Sequence, residues 1–277
     1  MAAERTTVHT VQEVSAMLTI PDSRIIAGGT TFGSQPNADL HLVDISGLEG
    51  LDGIKQKGNR IEIGPTAKLC AVGDSALIKS CFPALAEAAG SVGTPEIREQ
   101  GTIGGNLAAF PAGDIAPALL ASGAKLIIKT DCDFRETLVD RFWDQEGHND
   151  LQYDEWITRI SLQIPKELHW GAAFGKLGEW DPSGCPSTAA AVYMGLDEKN
   201  RVTSIRGGIR TGNGNIRRMF PLEKVLKNHP ATDENLAKAV QAMVCTAQFD
   251  HEVNEFSAFL TGILQRSHSM AEERRNL

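Results

Sequence analysis

Apolar residues recur at helical spacing in a few stretches of this chain and alternate in most of the others. Val11, Val14 and Leu18 mark one face of a helix over Thr10–Thr19, which Pro21 and Asp22 close. Arg24–Ala27 is a short strand, and Leu40–Ile45 and Arg60–Gly64 alternate as half-buried strands do. Leu69, Val72, Ala76 and Leu77 share one face of a helix, Pro83–Ala89 is alanine-rich and helical, and Gly90–Pro95 breaks it. Asp114–Leu120 reads as a short helix with Pro117 in its first turn. Lys125–Lys129 is a strand, and Trp156–Ile164 alternates over nine positions before Pro165 ends it. Three further strands follow, Trp170–Leu177, Ala189–Leu196 and Val202–Ile209, and then three amphipathic helices near Leu222–Lys227, Glu234–Thr246 and Ser257–Arg266. The charged tail Ala271–Arg275 is expected to fray. Together these elements predict an α+β chain with a break near 165–170.

Two glycine stretches stand out from this pattern. Ala27-Gly28-Gly29-Thr30-Thr31-Phe32 directly follows a strand, and Gly101-Thr102-Ile103-Gly104-Gly105-Asn106-Leu107 lies at the centre of the sequence. Paired glycines let a backbone approach a ligand closely, and Thr102 and Asn106 supply side-chain donors beside the amides. Two such loops would hold the two phosphates of one dinucleotide from opposite sides. Neither is a GxGxxG fingerprint or a GxxxxGK[ST] loop, and taken singly a Gly-Gly pair marks an ordinary turn. Two roles fit Asp114: capping the helix that follows, which spacing favours, and accepting hydrogen bonds from a ligand's ribose hydroxyls. Gly207–Gly214 reads as a turn-rich connection.

Composition narrows the function. The chain has 277 residues, 42% of them hydrophobic and 22% charged, enough for a sizeable core in one large or two modest domains. A formal charge of −8 argues against a nucleic-acid partner. The N-terminus has no apolar export segment and no run of about 18 apolar residues occurs, so no membrane span and a cytoplasmic location are expected. Five cysteines, without C-x-x-C spacing, and seven scattered histidines give no metal cage; Cys185, between Gly184 and Pro186, reads as a structural thiol. No Ser-His-Asp set or other catalytic residue is expected in this chain.

Ala27-Gly28-Gly29-Thr30, Gly101–Ala108 and Pro111–Leu120, in this order and spacing, resemble the flavin subunit of the molybdenum hydroxylases, which include the carbon monoxide dehydrogenase medium chain and the xanthine dehydrogenase FAD domain. Thr94–Arg98 and Phe259–Leu264 extend the similarity over nearly the whole chain. The resemblance implies a two-lobed FAD-binding domain of vanillyl-alcohol-oxidase (PCMH) type over 1–166, with lobes of about 1–53 and 54–166, and a smaller α+β C-terminal domain over 167–277. It implies that Ala27, Gly28, Gly29, Thr30, Thr31 and Phe32, with Gly101, Thr102, Ile103, Gly104, Gly105 and Asn106, hold the pyrophosphate, and that Asp114 binds the adenosine part. Ile160 would pack on the flavin or adenine, with Ile157 as the alternative. Lys176, on spacing alone a surface lysine, would lie near the isoalloxazine.

The chain departs from the family's pattern in three places. Thr31 stands where an acidic or amide residue is usual, the segment Phe32–Leu40 is short, and Gly178–Ser187 lacks the basic, aspartate-containing pattern of relatives. The function implied is that of the FAD-binding electron-transfer subunit of a hetero-oligomeric molybdenum hydroxylase. It would draw electrons from a [2Fe-2S] subunit, beside a large molybdopterin subunit, and pass them to an acceptor such as NAD. The alternative is a flavin-free assembly or scaffold subunit that keeps the fold.

Overall fold

The computed structural model describes residues 4–30, 40–109, 113–130, 132–144, 147–180, 186–212, 214–245 and 253–276. Thr31, Phe32, the rest of the short segment up to Asp39, and Cys185 lie outside the described residues. In chain order the elements are β1 (Glu4–Thr7), α1 (Val11–Leu18), β2 (Ser23–Ile26), β3 (His41–Asp44), β4 (Ile54–Lys57), β5 (Arg60–Ile63), α2 (Leu69–Asp74), α3 (Ala76–Cys81), α4 (Pro83–Gly90), α5 (Pro95–Gln100), α6 (Ile103–Ala108), α7 (Ala116–Ser122), β6 (Lys125–Lys129), β7 (Phe134–Leu138), β8 (Trp156–Gln163), β9 (His169–Trp180), β10 (Pro186–Leu196), β11 (Val202–Arg210), β12 (Ile216–Arg218), α8 (Phe220–Leu226), α9 (Asp233–Val244) and α10 (Val253–Arg275).

The strands form three sheets. β1-β3-β2 is a small parallel sheet near the N-terminus, β4-β5-β8-β6-β7 is antiparallel, and β12-β11-β10-β9 is an antiparallel meander. Helices α2–α7 sit in the long connection from β5 to β6, and all but α5, which buries no residue, pack apolar faces into one core with the five-stranded sheet.

The meander has two buried faces, and alternation along β10 shows why. Ala189 and Ala191 pack into the core of the middle sheet, while Ala190, Val192 and Met194 pack into a second core with α8, α9 and α10. Both faces being covered, small apolar residues run continuously through this strand. Gly207 and Gly208 lie within β11, not in the turn-rich connection expected from sequence. A β-carbon at Gly208 would lie 2.3 Å from the Pro117 carbonyl oxygen, so the missing side chain is what lets α7 rest on the sheet.

Two other expectations are corrected. The helix read across Leu69–Leu77 is two helices, because Ser75 takes an extended conformation and caps the second through Ile78 N–H. The tail Ala271–Arg275 does not fray: it is the last turn of α10, Ala271 is buried, and the Arg274 guanidinium lies 3.5 Å above the Trp170 ring.

α10 seats on β9 through bare backbone. A β-carbon at Gly171 would lie 2.0 Å from the Ser267 carbonyl oxygen, and the buried Ser267 hydroxyl donates to Val192 O. Gly171→Ala is therefore expected to lower stability by about 1–3 kcal/mol through overpacking. A lower urea midpoint with an unchanged slope of free energy against denaturant is the measurement that shows it.

Candidate functional site

The first glycine loop leaves the end of β2. Gly29 has φ of +71°, a left-handed backbone that glycine adopts without strain. Gly28 faces the second loop, and a β-carbon there would lie 2.2 Å from the Gln100 carbonyl oxygen and 3.0 Å from Gly101 Cα. The two loops, more than seventy residues apart in sequence, therefore meet backbone to backbone.

The second stretch begins a helix where the sequence suggested a loop. Thr94 caps α5, which ends at Gly101, and Thr102 then caps α6 by accepting from Gly105 N–H at 3.1 Å. The Ile103 and Gly104 amides donate to the Ala67 and Pro65 carbonyls at 2.9 and 2.8 Å. Most of the spare amides belong to the first loop: among the described residues, Gly28, Gly29 and Thr30 N–H donate to no acceptor, against Thr102 N–H in the second stretch. What the second stretch offers is a side-chain-free surface, since Gly105 is exposed and a β-carbon there meets only Thr102 Oγ1, at 3.0 Å.

Between the loops runs a cleft of about 710 Å³, within the range of pockets that enclose small molecules and cofactors. Ala27–Thr30 form one side, and Gly101, Thr102, Gly104, Gly105 and Asn106 the other. Ile103 is buried beneath this wall. From β8, Trp156 and Ile157 line the cleft, whereas Ile160 is buried in the core of the middle sheet, so the wall position falls to the alternative, Ile157.

Asp114 and Lys176 stand behind the wall and are joined to each other. Lys176 Nζ donates to Asp114 Oδ2 at 2.7 Å and to Ser91 O at 2.7 Å, and Arg210 Nη1 lies 3.9 Å from Asp114 Oδ1. Ile115, not Asp114, holds the cap position of α7, with no side-chain cap bond. Asp114 is buried, and its Oδ1 has no hydrogen-bond partner. Its carboxylate serves the ion pair and does not cap α7.

The outer lip is the segment 149–155. Asn149 Nδ2 donates to Ala108 O, and Arg135 bridges Glu155 (2.6 and 2.7 Å) and Asp150 (2.9 Å). The Arg135 hydrogen bonds hold the Glu155 carboxyl below the usual glutamate range, burial opposes them, and the Gln152 N–H adds to them. Sequence reading missed this lip, together with Trp156 and Arg210. The available signal was a buried-strand pattern that carries charged or indole side chains at its ends.

Two glycine loops meeting at one cleft, with free amides on its wall, suit a phosphate-bearing cofactor. Residues 2–167 match the model of the FAD binding domain in molybdopterin dehydrogenase, and the chain belongs to that family. The resemblance read from the three motifs is thereby confirmed, and FAD is the cofactor of the family. The chain is 31% identical over 194 residues to the nicotinate dehydrogenase FAD-subunit of Eubacterium barkeri, covering 66% of this chain and 65% of that one. It is 29% identical over 177 residues to the carbon monoxide dehydrogenase medium chain of Hydrogenophaga pseudoflava, covering 59% and 60%. The matched stretch thus spans less than two thirds of these curated relatives. In structure, carbon monoxide dehydrogenase from Hydrogenophaga pseudoflava lacking the Mo-pyranopterin moiety superimposes with a TM-score of 0.85 over 99% of this chain and 98% of that chain, at 23% identity. The fold is shared over the full length.

The Glu155 pair makes a pH prediction. A carboxyl whose folded pKa is depressed contributes stability above its unfolded pKa, about 4.3, and that contribution is lost as pH falls through the folded value. Below about pH 4.3 the Tm of the wild type should therefore fall more steeply than that of Glu155→Gln. Parallel Tm-versus-pH curves would contradict this.

Proposed function

We propose that this chain is the FAD-binding, electron-transferring subunit of a molybdenum hydroxylase. In this reading it takes electrons from a [2Fe-2S] partner that serves a large molybdopterin subunit, and hands them to an acceptor such as NAD in the cytoplasm. The observation that carries the reading is the backbone contact of Gly28 with Gln100 and Gly101, which brings two lobes together around one cleft with unused amides on its first wall. FAD, when bound, accepts electrons singly and releases them as a pair, which suits a carrier between iron–sulfur centres and a two-electron acceptor.

The chain's own residues then have positioning roles. Gly28, Gly29 and Thr30 offer N–H groups to the pyrophosphate, with Ala27 beside them on the same wall. The bare surface of Gly105, with Thr102 and Asn106 beside it, lets the diphosphate approach the start of α6 without a side chain in the way. Ile157 and Trp156 keep the cleft wall apolar, and Lys176 supplies a cation at the end where the ring would lie. The two FAD-binding lobes correspond to the first two sheets, and the meander with α8–α10 forms the C-terminal domain.

The test uses the full chain. Purified with FAD, it should show flavin absorbance, and added FAD at about 100 times its Kd should stabilise it by roughly 2.7 kcal/mol, read as a rise in Tm. Gly105→Leu should abolish both effects while leaving the Tm of the FAD-free chain nearly unchanged. A colourless wild-type chain whose Tm ignores FAD would instead identify a scaffold subunit that has kept the fold.

A further inference from the structure

Arg210 is a guanidinium in the protein interior, only 2% exposed, at the end of β11. Across the meander, Ala189 of β10 pairs with Lys176 of β9 on one side and with Arg210 of β11 on the other. Directly paired residues project to the same face, so the two cations flank a side chain no larger than a methyl group. Asp114 enters over that gap, with Oδ2 2.7 Å from Lys176 Nζ and Oδ1 3.9 Å from Arg210 Nη1.

This cluster lies one residue behind the cleft wall at two points. Lys176 donates to Ser91 O, and the next residue, Val92, lines the cleft. Asp114 follows Gly113, whose N–H donates to Asn106 O, and Asn106 also lines the cleft and accepts from Ile115 N–H at 3.3 Å. A lysine and an aspartate alone would cancel. With the second cation the three side chains together are net positive, and in a buried setting such a charge acts over a longer range than in water.

We propose that Arg210 is a positioning and field-setting residue for the cofactor: by sharing Asp114 with Lys176 it fixes the lysine and keeps the wall behind Asn106 and Val92 electropositive, and that field favours the more anionic, reduced form of a flavin bound in the cleft. The proposal rests on the FAD-binding reading given above. Its mechanism is electrostatic, so the sign of the effect must follow the sign of the charge removed.

The experiment is spectroelectrochemical titration of the full chain reconstituted with FAD, alongside its Kd for FAD and its Tm. Arg210→Gln should lower the two-electron midpoint potential, and a tenfold change in the reduced-to-oxidised ratio at fixed poise corresponds to about 30 mV. Asp114→Asn, which removes the shared anion and keeps both cations, should raise it, and Arg210→Lys should restore the wild-type value. Should Arg210→Gln fail to fold, the upward shift in Asp114→Asn and the unchanged potential in Arg210→Lys still decide the matter. Shifts of the same sign in Arg210→Gln and Asp114→Asn, or no upward shift in Asp114→Asn, overturn the proposal. Absence of flavin from the wild type overturns the functional reading instead, so the two failures are told apart.

Discussion

Everything at the cleft depends on a contact between two stretches of backbone with nothing between them. Gly28 lies against Gln100 and Gly101 at a distance that a methyl group would occupy. Because the contact is sterically exclusive, it fixes how far the first loop stands from the start of α6 and hence the width of the cleft. Apolar burial alone would not set that distance so finely, since side chains repack where a main chain does not. The first lobe adds a second tie through Trp156, which leaves β8 in the middle sheet and packs among Val43, Ile45 and Leu48 of the N-terminal lobe. One residue later Ile157 is in the core of the middle sheet, so a single peptide unit spans the seam between the two lobes.

The C-terminal meander supports the site from behind. Its β-strands face α4 and α7 with alanines and a glycine, and this close approach brings Lys176 and Arg210 to the loop that carries Asp114. A network farther along the same seam, in which Asp140 receives both Arg206 and Arg218 and Arg218 also pairs with Glu223, ties the middle sheet to α8. Paired, hydrogen-bonded charges of this kind fix geometry more than they add stability, since desolvation offsets much of their attraction. In this chain they hold the domain that carries Lys176 and Arg210 in one orientation relative to the cleft.

Much of this was legible in the sequence where local pattern and tertiary role agree. The alternating strands Arg60–Gly64, Lys125–Lys129 and Trp156–Ile164 and the three-strand C-terminal run all appear near their expected bounds, because their apolar residues face a core at period two. The glycine motifs were legible as an approach of backbone to something, and the structure adds that the first approach is to the other loop. β1, β4 and β7 escaped notice because they are edge strands with mostly polar, exposed residues. α6 was hidden by its own glycines, whose low helix propensity is overridden by the Thr102 cap and the Ile103 and Leu107 anchors in the core.

Asp114 shows where pattern reading stops. One turn before a proline-bearing helix it has the position of a cap, and beside a glycine motif it has the position of a ligand. Local sequence holds no trace of Lys176 or Arg210, which come from strands 62 and 96 residues further on. A carboxylate that bonds neither α7 nor solvent, yet sits buried, requires cationic partners from elsewhere, because an isolated buried charge would cost several kcal/mol. The meander supplies them across Ala189. Substituting a larger residue at Ala189 would therefore separate the two cations without touching any charge, and the geometry of the cluster follows from that alanine as much as from the ions themselves.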